Sequence, residues 1–398
     1  MVRHRLIPPL NTNKDGRRLP VRFTTTVKPM KPLDLPPRPR ILVVALRRLG
    51  DVLFATSVIA SLRRAFRQAV IDVLVFENTA GILDGNPDID RVVTMPPRSS
   101  VWQGLVLALR LTKRYHLAVS TQTGDRATIF ALIAGRRHVG PVDGGARGAL
   151  RRLALSRSVA PQPGLHRLED MLRVADALGV PRVAHLVCPG RAPLPDSAST
   201  VIRDPRVGDQ QPYAVIHAAP MFQYKRWTLE GWRELAVHLR ARGLKVVATG
   251  GPAAAERAYL DLVWGDLPDV ARRDGRLSWP ELAQLLTSAR LFVGPDTSVT
   301  HLAASTGCRT VALFGPTDPR LWGPVPAGGL DPMWEAAGTI QRRKNVWLVQ
   351  HPLPCLPCHN EGCERHIGSF SKCLDELQPA QVLRAVDTAL ASTPVTAP

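Results

Sequence analysis

The sequence has no long apolar run and no glycine-rich nucleotide fingerprint. No stretch of about 18 uncharged apolar residues occurs, so a membrane-spanning helix is not predicted. Arg3 and Arg5 are not followed by an apolar segment, so the N-terminus does not resemble a secretory signal. Neither G-x-G-x-x-G nor G-K-[ST] is present. A nicotinamide-dependent oxidoreductase is therefore disfavoured.

Aromatic residues and carboxylates are also scarce. Aromatic residues make up 5% of the chain. It has 33 Asp and Glu and 52 Lys and Arg, which gives a formal charge of +19. This charge suits a nucleic acid, an anionic membrane surface or a phosphorylated substrate, or it is simply a solvated arginine-rich surface. Basic and aromatic residues do not interleave, so nucleic-acid binding is the weaker alternative and no nucleic-acid partner is expected.

Short apolar strands, such as VIDVLVF at 70–76, alternate with helical patterns in two blocks. This alternation predicts an α/β protein with two Rossmann-like, doubly wound domains. The predicted boundaries are a basic, proline-rich flexible extension at 1–38, an N-terminal domain at 39–190, a linker at 191–212, a C-terminal domain at 213–350, a cysteine-rich loop at 351–375 and a C-terminal helix and tail at 376–398. Ligands of such sheets bind beyond the carboxyl ends of the strands, so the turns there are the candidate sites.

The first such turn lies in ILVVALRRLGDVLFAT, residues 41–56. A buried strand runs into Arg47 and Arg48, and a helix is predicted from about Val52. Gly50 is expected to let the chain turn sharply beside a substrate. Asp51 has two interpretations from the residues alone: a helix cap, or a carboxylate that does chemistry.

Two turns in the second block have the features of an anion site. In FVGPDTSVTHLAASTG (292–307), Asp296, Thr297 and Ser298 are candidate N-caps of a helix whose free N–H groups attract anions. His301 follows about one turn later. In the other turn, Lys225 precedes a helix for which Thr228 is the predicted N-cap, and its ammonium suits a phosphate. Either turn is also compatible with a capped helix that binds nothing.

Four segments occur in a familiar order: LGDVLFAT, YKRW, VGPDTSVTHLAA and LFGPTDPRLWGP. Together they resemble glycosyltransferase family 9, the ADP-heptose:lipopolysaccharide heptosyltransferases, over about residues 40–390. The resemblance implies a GT-B fold, in which two Rossmann-like domains face each other across a cleft. It also implies inverting transfer of heptose from ADP-heptose to a lipopolysaccharide inner-core sugar, with no cofactor or metal in the chemistry. A GT-B transferase for another nucleotide sugar is the alternative.

The resemblance also assigns roles to individual residues. Asp51 matches the catalytic base of the family, and Lys225 matches its phosphate-contacting lysine. The donor set is Lys225, Asp296, Thr297, Ser298, Val299 and His301, and the acceptor set is Arg47, Arg48 and Thr56. A helix N-terminus stabilises a carboxylate and weakens it as a base, which desolvation would oppose.

Three segments depart from the family pattern. The family often has Ser-Ser at Arg47 and Arg48, and His-Pro-Gly where this chain has His217 and two alanines. Ser298 stands in place of the family's glycine, where a Cβ would crowd the phosphates. This substitution leaves open the alternative of another nucleotide sugar.

Four of the six cysteines lie together in CLPCHNEGCERHIGSFSKC. Cys355, Cys358, Cys363 and Cys373 have the spacing C-x2-C-x4-C-x9-C, which predicts a structural zinc or iron site. Reduced thiols, or a disulfide in an oxidising compartment, are the alternatives.

The implied acceptor is a glycan anchored by lipid in the inner leaflet of the inner membrane. The chain is therefore expected in the cytoplasm, at the inner face of that membrane. The basic extension and a basic face of the folded part are expected to hold it there by contact with anionic lipid.

Overall fold

The first half of the protein is built on a parallel sheet. The computed structural model describes residues 33–160, 162–194 and 211–393, and in this part of the chain the first sheet has six strands. They are β1 (Arg40–Val44), β2 (Val70–Phe76), β3 (Arg91–Met95), β4 (Tyr115–Ser120), β5 (Gly135–Pro141) and β6 (Arg157–Val159). Their order is β3-β2-β1-β4-β5-β6, so the direction of winding reverses between β1 and β4.

Helices cover both faces of this sheet. They are α1 (Leu49–Ala65), α2 (Val101–Leu111), α3 (Asp125–Ala134), α4 (Ala146–Ala154) and α5 (Arg167–Leu178), with a 3-10 helix at Glu77–Leu83. Ile41 and Val43 pack with α1 and α5, whereas Leu42 and Val44 pack with α2 and α3. The alternation of side chains along β1 therefore separates α1 and α5 from α2 and α3.

The second half repeats the arrangement. In the described residues its sheet has seven strands, in the order β12-β13-β11-β10-β7-β8-β9. They are β7 (Tyr213–His217), β8 (Lys245–Thr249), β9 (Val270–Arg272), β10 (Leu291–Pro295), β11 (Thr310–Leu313), β12 (Ile340–Arg343) and β13 (Val346–Val349). Among the described strands of this sheet only β12 pairs antiparallel, at the edge. The winding reverses between β7 and β10, as it does between β1 and β4.

The helices of this half are α6 (Leu229–Ala241), α7 (Ala254–Trp264), α8 (Trp279–Ser288), α9 (Ser298–Ser305), α10 (Pro319–Trp322), α11 (Lys372–Asp375) and α12 (Pro379–Ala391), and a 3-10 helix spans Gln223–Lys225. The C-terminal helix α12 packs on α6, β10, β11 and β13, so it belongs to the second half.

One buried apolar cluster joins the two halves. It contains α1 and α5 side chains together with Leu285 of α8 and Val299 and Leu302 of α9. The first turn of α1 consequently lies against the first turn of α9. A Cβ added at Gly50 would lie 3.9 Å from the Cβ of Ser298.

Most predicted strands and helices are confirmed within a few residues, and β2 has the predicted bounds. Three expectations change. First, α1 begins at Leu49, and Gly50 is helical without positive φ, so no turn requires glycine there. Second, Leu33 is buried in the core, so the proposed flexible extension to residue 38 is too long. Third, α5 was not anticipated. Residues 1–32 and most of the predicted linker (195–210) lie outside the described residues.

No helix in the described ranges has the length and apolarity needed to cross a bilayer.

Candidate active site between the two sheets

The candidate site forms where the winding of each sheet reverses. Asp51 follows β1 in the first half, Lys225 follows β7 and Asp296 follows β10 in the second. Open parallel sheets bind their ligands at such reversal points. The packing of α1 on α9 brings the two reversal points together.

Asp51 lies in the first turn of α1 and is 8% exposed. Its Oδ1 accepts a hydrogen bond from Arg167 Nε at 2.9 Å. Arg167 opens α5 and also donates to Asp170 from Nη1 at 3.1 Å. Among the described residues Asp51 Oδ2 has no donor, and the buried Nη2 of Arg167 has no acceptor. The carboxylate is thus oriented by one oxygen, and its other oxygen remains for a ligand.

Phe54, one turn along α1, lies between two buried histidines. Its ring contacts His166 and His301 edge-on, at centroid distances of 5.9 and 5.0 Å. His166 Nε2 lies 2.8 Å from the carbonyl of Gly323, and its Nδ1 accepts from the N–H of Leu168. A carbonyl only accepts, so Nε2 carries the proton. This bond also ties the first half to the second.

Burial lowers the pKa of His166 and of His301 to about 4, so both rings are neutral near pH 7. His301 Nε2 lies 3.9 Å from Asp296 Oδ1. Its Nδ1 is buried and has no hydrogen-bond partner among the described residues. A buried polar atom without a partner beside a reversal point is a position that a ligand can satisfy.

Lys225 and Asp296 form the charged centre of the second half. Lys225 Nζ donates to Asp296 Oδ2 at 2.5 Å and to the Asp296 carbonyl at 3.3 Å. Burial by itself would raise the pKa of Asp296, but the charges of Lys225 and His301 and hydrogen bonds from Lys225 and Thr317 lower it. Asp296 is therefore ionised, and Lys225 keeps a third N–H donor for a ligand.

The helix after Asp296 is capped as predicted from the sequence. Thr297 is the N-cap of α9, and its side chain accepts from the N–H of Thr300. The N–H groups of Ser298 and Val299 belong to the first turn, which has no intrahelical acceptors for them. The Val299 side chain is buried in the shared core, so only its backbone suits the predicted donor role. Thr228, the other predicted cap, is also confirmed as the N-cap of α6.

The predicted acceptor residues do not behave alike. Arg47 and Arg48 are exposed next to Asp51, and the Arg48 guanidinium lies 5.0 Å from the ring centroid of Phe222 in the second half. Thr56 is fully buried. Its hydroxyl donates to the carbonyl of Leu53 and accepts from the N–H of Val187. Thr56 therefore anchors α1 internally, and its prediction as an acceptor contact was wrong.

The cysteine-rich loop packs against the donor-side turns. Ser371 donates to the carbonyl of Tyr224, next to Lys225, and the His359 N–H donates to the carbonyl of Pro316. Cys373 is buried, Cys358 is half-buried, and Cys355 and Cys363 are exposed.

Burial, together with the three neighbouring cysteines, raises the pKa of Cys373 to about 12. Four sulfur donors are thus close in space. Even so, within the described ranges no three His, Cys, Asp or Glu side chains are placed as metal ligands.

Reading the sequence missed Arg167, His166 and Phe54. The segment HRLED has a signal that was available: a histidine at a helix start followed by Arg167 and two carboxylates. Nothing local in the sequence indicates that Arg167 pairs with Asp51, 116 residues away.

Two doubly wound sheets with charged turns facing each other at their reversal points define the GT-B class of glycosyltransferase. The sequence profile of Glycosyltransferase family 9 (heptosyltransferase) matches residues 105–336, and the chain belongs to this family. The protein is thus a glycosyltransferase.

Similar proteins agree with this assignment. Lipopolysaccharide heptosyltransferase 3 of Escherichia coli is 29% identical over 286 residues, which cover 69% of this chain and 83% of that protein. The glycosyl transferase family 9 structure from Veillonella parvula superposes with a TM-score of 0.73 at 18% identity, covering 91% of this chain and 100% of that one. The E. coli heptosyltransferase WaaC with ADP has a TM-score of 0.66 at 21% identity, covering 88% and 99%. These two structures support the fold.

Proposed function

We propose that this protein transfers heptose from ADP-heptose to a sugar of the lipopolysaccharide inner core, with inversion, and that Asp51 is the general base. One observation carries the proposal: a buried, oriented carboxylate, with one oxygen that has no donor among the described residues, lies where the first turn of α1 packs on the N-terminus of α9, the helix that follows Asp296, the partner of Lys225. The names of the relatives, lipopolysaccharide heptosyltransferase and heptosyltransferase with ADP, support the choice of donor and acceptor.

On the acceptor side, Asp51 Oδ2 takes the proton of the attacking hydroxyl. The hydroxyl oxygen forms a bond to the anomeric carbon as the bond from that carbon to the ADP oxygen breaks. Arg167 holds Oδ1, so the carboxylate enters the reaction already oriented.

On the donor side, ADP leaves with the electron pair of the broken bond. In this proposal the third N–H of Lys225 and the first-turn N–H groups of α9 stabilise the negative charge that develops on the diphosphate. His301 is neutral, so it supplies a hydrogen bond rather than a charge. Ser298 turns its Cβ towards Gly50, so its side chain need not crowd the phosphates.

Membrane contact is part of the proposal, because the acceptor is lipid-anchored. The enzyme then works in the cytoplasm at the inner face of the inner membrane, and the exposed Arg47 is available for acidic groups on the acceptor. Full-length protein should sediment with anionic vesicles, and deletion of residues 1–32 should weaken this if the extension contributes. If both the full-length protein and the shortened variant stay in the supernatant at physiological salt, membrane contact is refuted.

The metal at the cysteine loop remains a prediction. Four thiolates would supply a tetrahedral structural site that braces the Tyr224–Lys225 turn, to which the loop is hydrogen-bonded. Elemental analysis of purified protein should find one zinc or iron per chain, lost in a Cys358→Ser, Cys363→Ser variant. Metal-free protein with unchanged thermal stability would contradict the site.

The deciding experiment measures acceptor-dependent ADP release from ADP-heptose with a truncated lipopolysaccharide. Asp51→Asn should lower kcat by roughly 10²–10⁴-fold, while ADP binding, followed by calorimetry, stays unchanged. Asp170→Asn is the matched control, since Asp170 accepts from the same arginine. It should retain most activity.

ADP release that persists in the Asp51→Asn variant would refute Asp51 as the general base. Absence of release, with thermal stabilisation by another nucleotide in preference to ADP, would move the proposal to a different nucleotide sugar.

A further inference from the structure

The positive charge of the folded part is concentrated in one segment. Residues 91–168 hold thirteen Lys and Arg against two acidic residues, Asp125 and Asp143. Both carboxylates are bound by the same side chain, Arg151. In the rest of the chain after residue 40, Lys and Arg number 29 and Asp and Glu also number 29. The excess of +11 therefore belongs to this segment.

The same segment exposes large apolar side chains. On α2, Val101 and Trp102 are 91% and 71% exposed, and Leu105 and Leu109 follow on the same stripe at i+4 spacing. The opposite side of α2 is also apolar and is buried in the first half. A helix that is apolar on both sides is expected to be covered on both sides.

Helix α4 is nearly all on the surface. Of its residues whose exposure the structure describes, Gly148 is buried, and Leu150 and Leu153 are 69% and 84% exposed. Arg152 is exposed between them. A short helix with a leucine stripe and arginines has the composition of a helix that lies in a membrane interface.

These helices form one continuous surface. Arg151 of α4 is bound to Asp125 at the start of α3, and Arg126 donates to the carbonyl of Pro97 just before α2. We call this surface the basic-apolar face. It consists of the exposed apolar residues Val101, Trp102, Leu105, Leu109, Ile129, Leu150 and Leu153 and the exposed arginines Arg98, Arg110, Arg126 and Arg152.

The basic-apolar face is also next to the candidate site. The three helices α2, α3 and α4 each follow a parallel strand, so they all begin at the carboxyl edge of the first sheet. Asp51 follows β1 at that same edge. If a large surface docks on the basic-apolar face, Asp51 lies close to the groups that protrude from that surface.

We propose that the basic-apolar face is the surface that docks on an anionic lipid bilayer, with Trp102 and the leucines in the interface and the arginines on the headgroups. This rests on the membrane-anchored acceptor of the proposed function and names the surface that reaches it. A second copy of the chain fits less well, because a two-fold contact would place two identical positive faces together. A nucleic acid fits less well, because the exposed apolar residues other than Trp102 are aliphatic and do not stack on bases.

The test is cosedimentation of the full-length protein with phosphatidylcholine vesicles, with and without phosphatidylglycerol, in the absence of donor and acceptor. Three double variants are compared: Trp102→Gln with Leu105→Gln, Leu150→Gln with Leu153→Gln, and Arg110→Gln with Arg152→Gln. The matched control is Val237→Gln with Leu262→Gln, which are 54% and 60% exposed on the second half. Thermal stability and ADP binding verify folding.

Each face variant should weaken binding to the anionic vesicles about tenfold or more, and the control should not. The arginine pair alone should also weaken the salt dependence. Vesicle binding by the face variants equal to that of the control overturns the proposal. So does a dimer that the apolar variants dissociate, or a polynucleotide that competes for the face. Because vesicle binding needs no transfer, its result stands even if the proposed reaction fails.

Discussion

The two reversal points of this protein have the same strand order but opposite chemistry. In the first half the turn after β1 carries Asp51, and its partner Arg167 comes from α5 of the same half. In the second half the turn after β7 carries Lys225, and its partner Asp296 comes from the neighbouring turn after β10. The shared topology thus sets where a ligand binds, while residue type sets what each edge does to it.

The partners also differ in what they leave available. Asp51 keeps one oxygen without a donor among the described residues, which suits a group that accepts a proton. Lys225 gives two hydrogen bonds to Asp296 and keeps one, which suits a group that stabilises a leaving anion. Each half is therefore pre-oriented by an ion pair before substrate arrives.

In the second half, the substitution Lys225→Met should have the largest effect. ADP affinity and turnover should both fall, turnover by roughly 10²–10³-fold, because a donor to the developing charge is removed. Folding stability should fall by about 3–5 kcal/mol, because Asp296 is left charged and buried.

Calorimetry and denaturant unfolding measure the two effects. Adding Asp296→Asn should restore stability but leave ADP affinity low. Recovery of both would mean that Lys225 serves only the ion pair.

Stability should decrease as pH falls from about 6.5 to about 4. The pKa values of His166, His217 and His301 are each lowered to about 4 by burial, so the unfolded chain binds protons in this range that the folded chain does not. Each histidine should cost about 2 kcal/mol at pH 5 relative to neutral pH.

Denaturant titrations across this pH range measure the loss. His217→Gln should remove about a third of it, because His217 lies within the second half and the other two histidines at the interface remain. A flat stability profile would show that these rings are accessible to protons.

In the first half, substitutions of Arg167 distinguish its role in orienting Asp51 from the effect of its charge. Arg167→Gln should lower kcat/KM by roughly 10–100-fold, because the carboxylate loses its fixed geometry. Arg167→Lys keeps the positive charge and a donor near Oδ1, so it should lose only part of the rate. Steady-state kinetics of the three proteins measure the difference. Equal kcat/KM for all three proteins would assign Arg167 a purely structural role.

Gly50 gives the smallest effect. It is helical, and an added Cβ would make an ordinary contact with Ser298 at 3.9 Å. Gly50→Ala should therefore stabilise the protein by up to about 1 kcal/mol, as thermal unfolding would report. Loss of stability would show that the interface between α1 and α9 is tighter than this distance indicates.

Local patterns in the sequence predicted a large part of the architecture. The Val-rich run of β2 and the caps Thr228 and Thr297 were read correctly, because apolar periodicity and capping depend on residues a few positions apart. The same logic placed Asp51 and Lys225 on turns after strands. It failed at Gly50, where a helix start resembles a tight turn.

The sequence by itself determined most of the strands and helices, though not α5, and the charged residues that stand at the ends of β1, β7 and β10. Only the tertiary structure decided which of them meet: Asp51 with Arg167, 116 residues apart, and Lys225 with Asp296, 71 residues apart. It also turned Thr56 inward and gathered α2, α3 and α4 into one basic-apolar face. The physical reason is that these pairings depend on how α1 packs on α5 and α9, and such packing is a property of distant apolar faces that no short segment encodes.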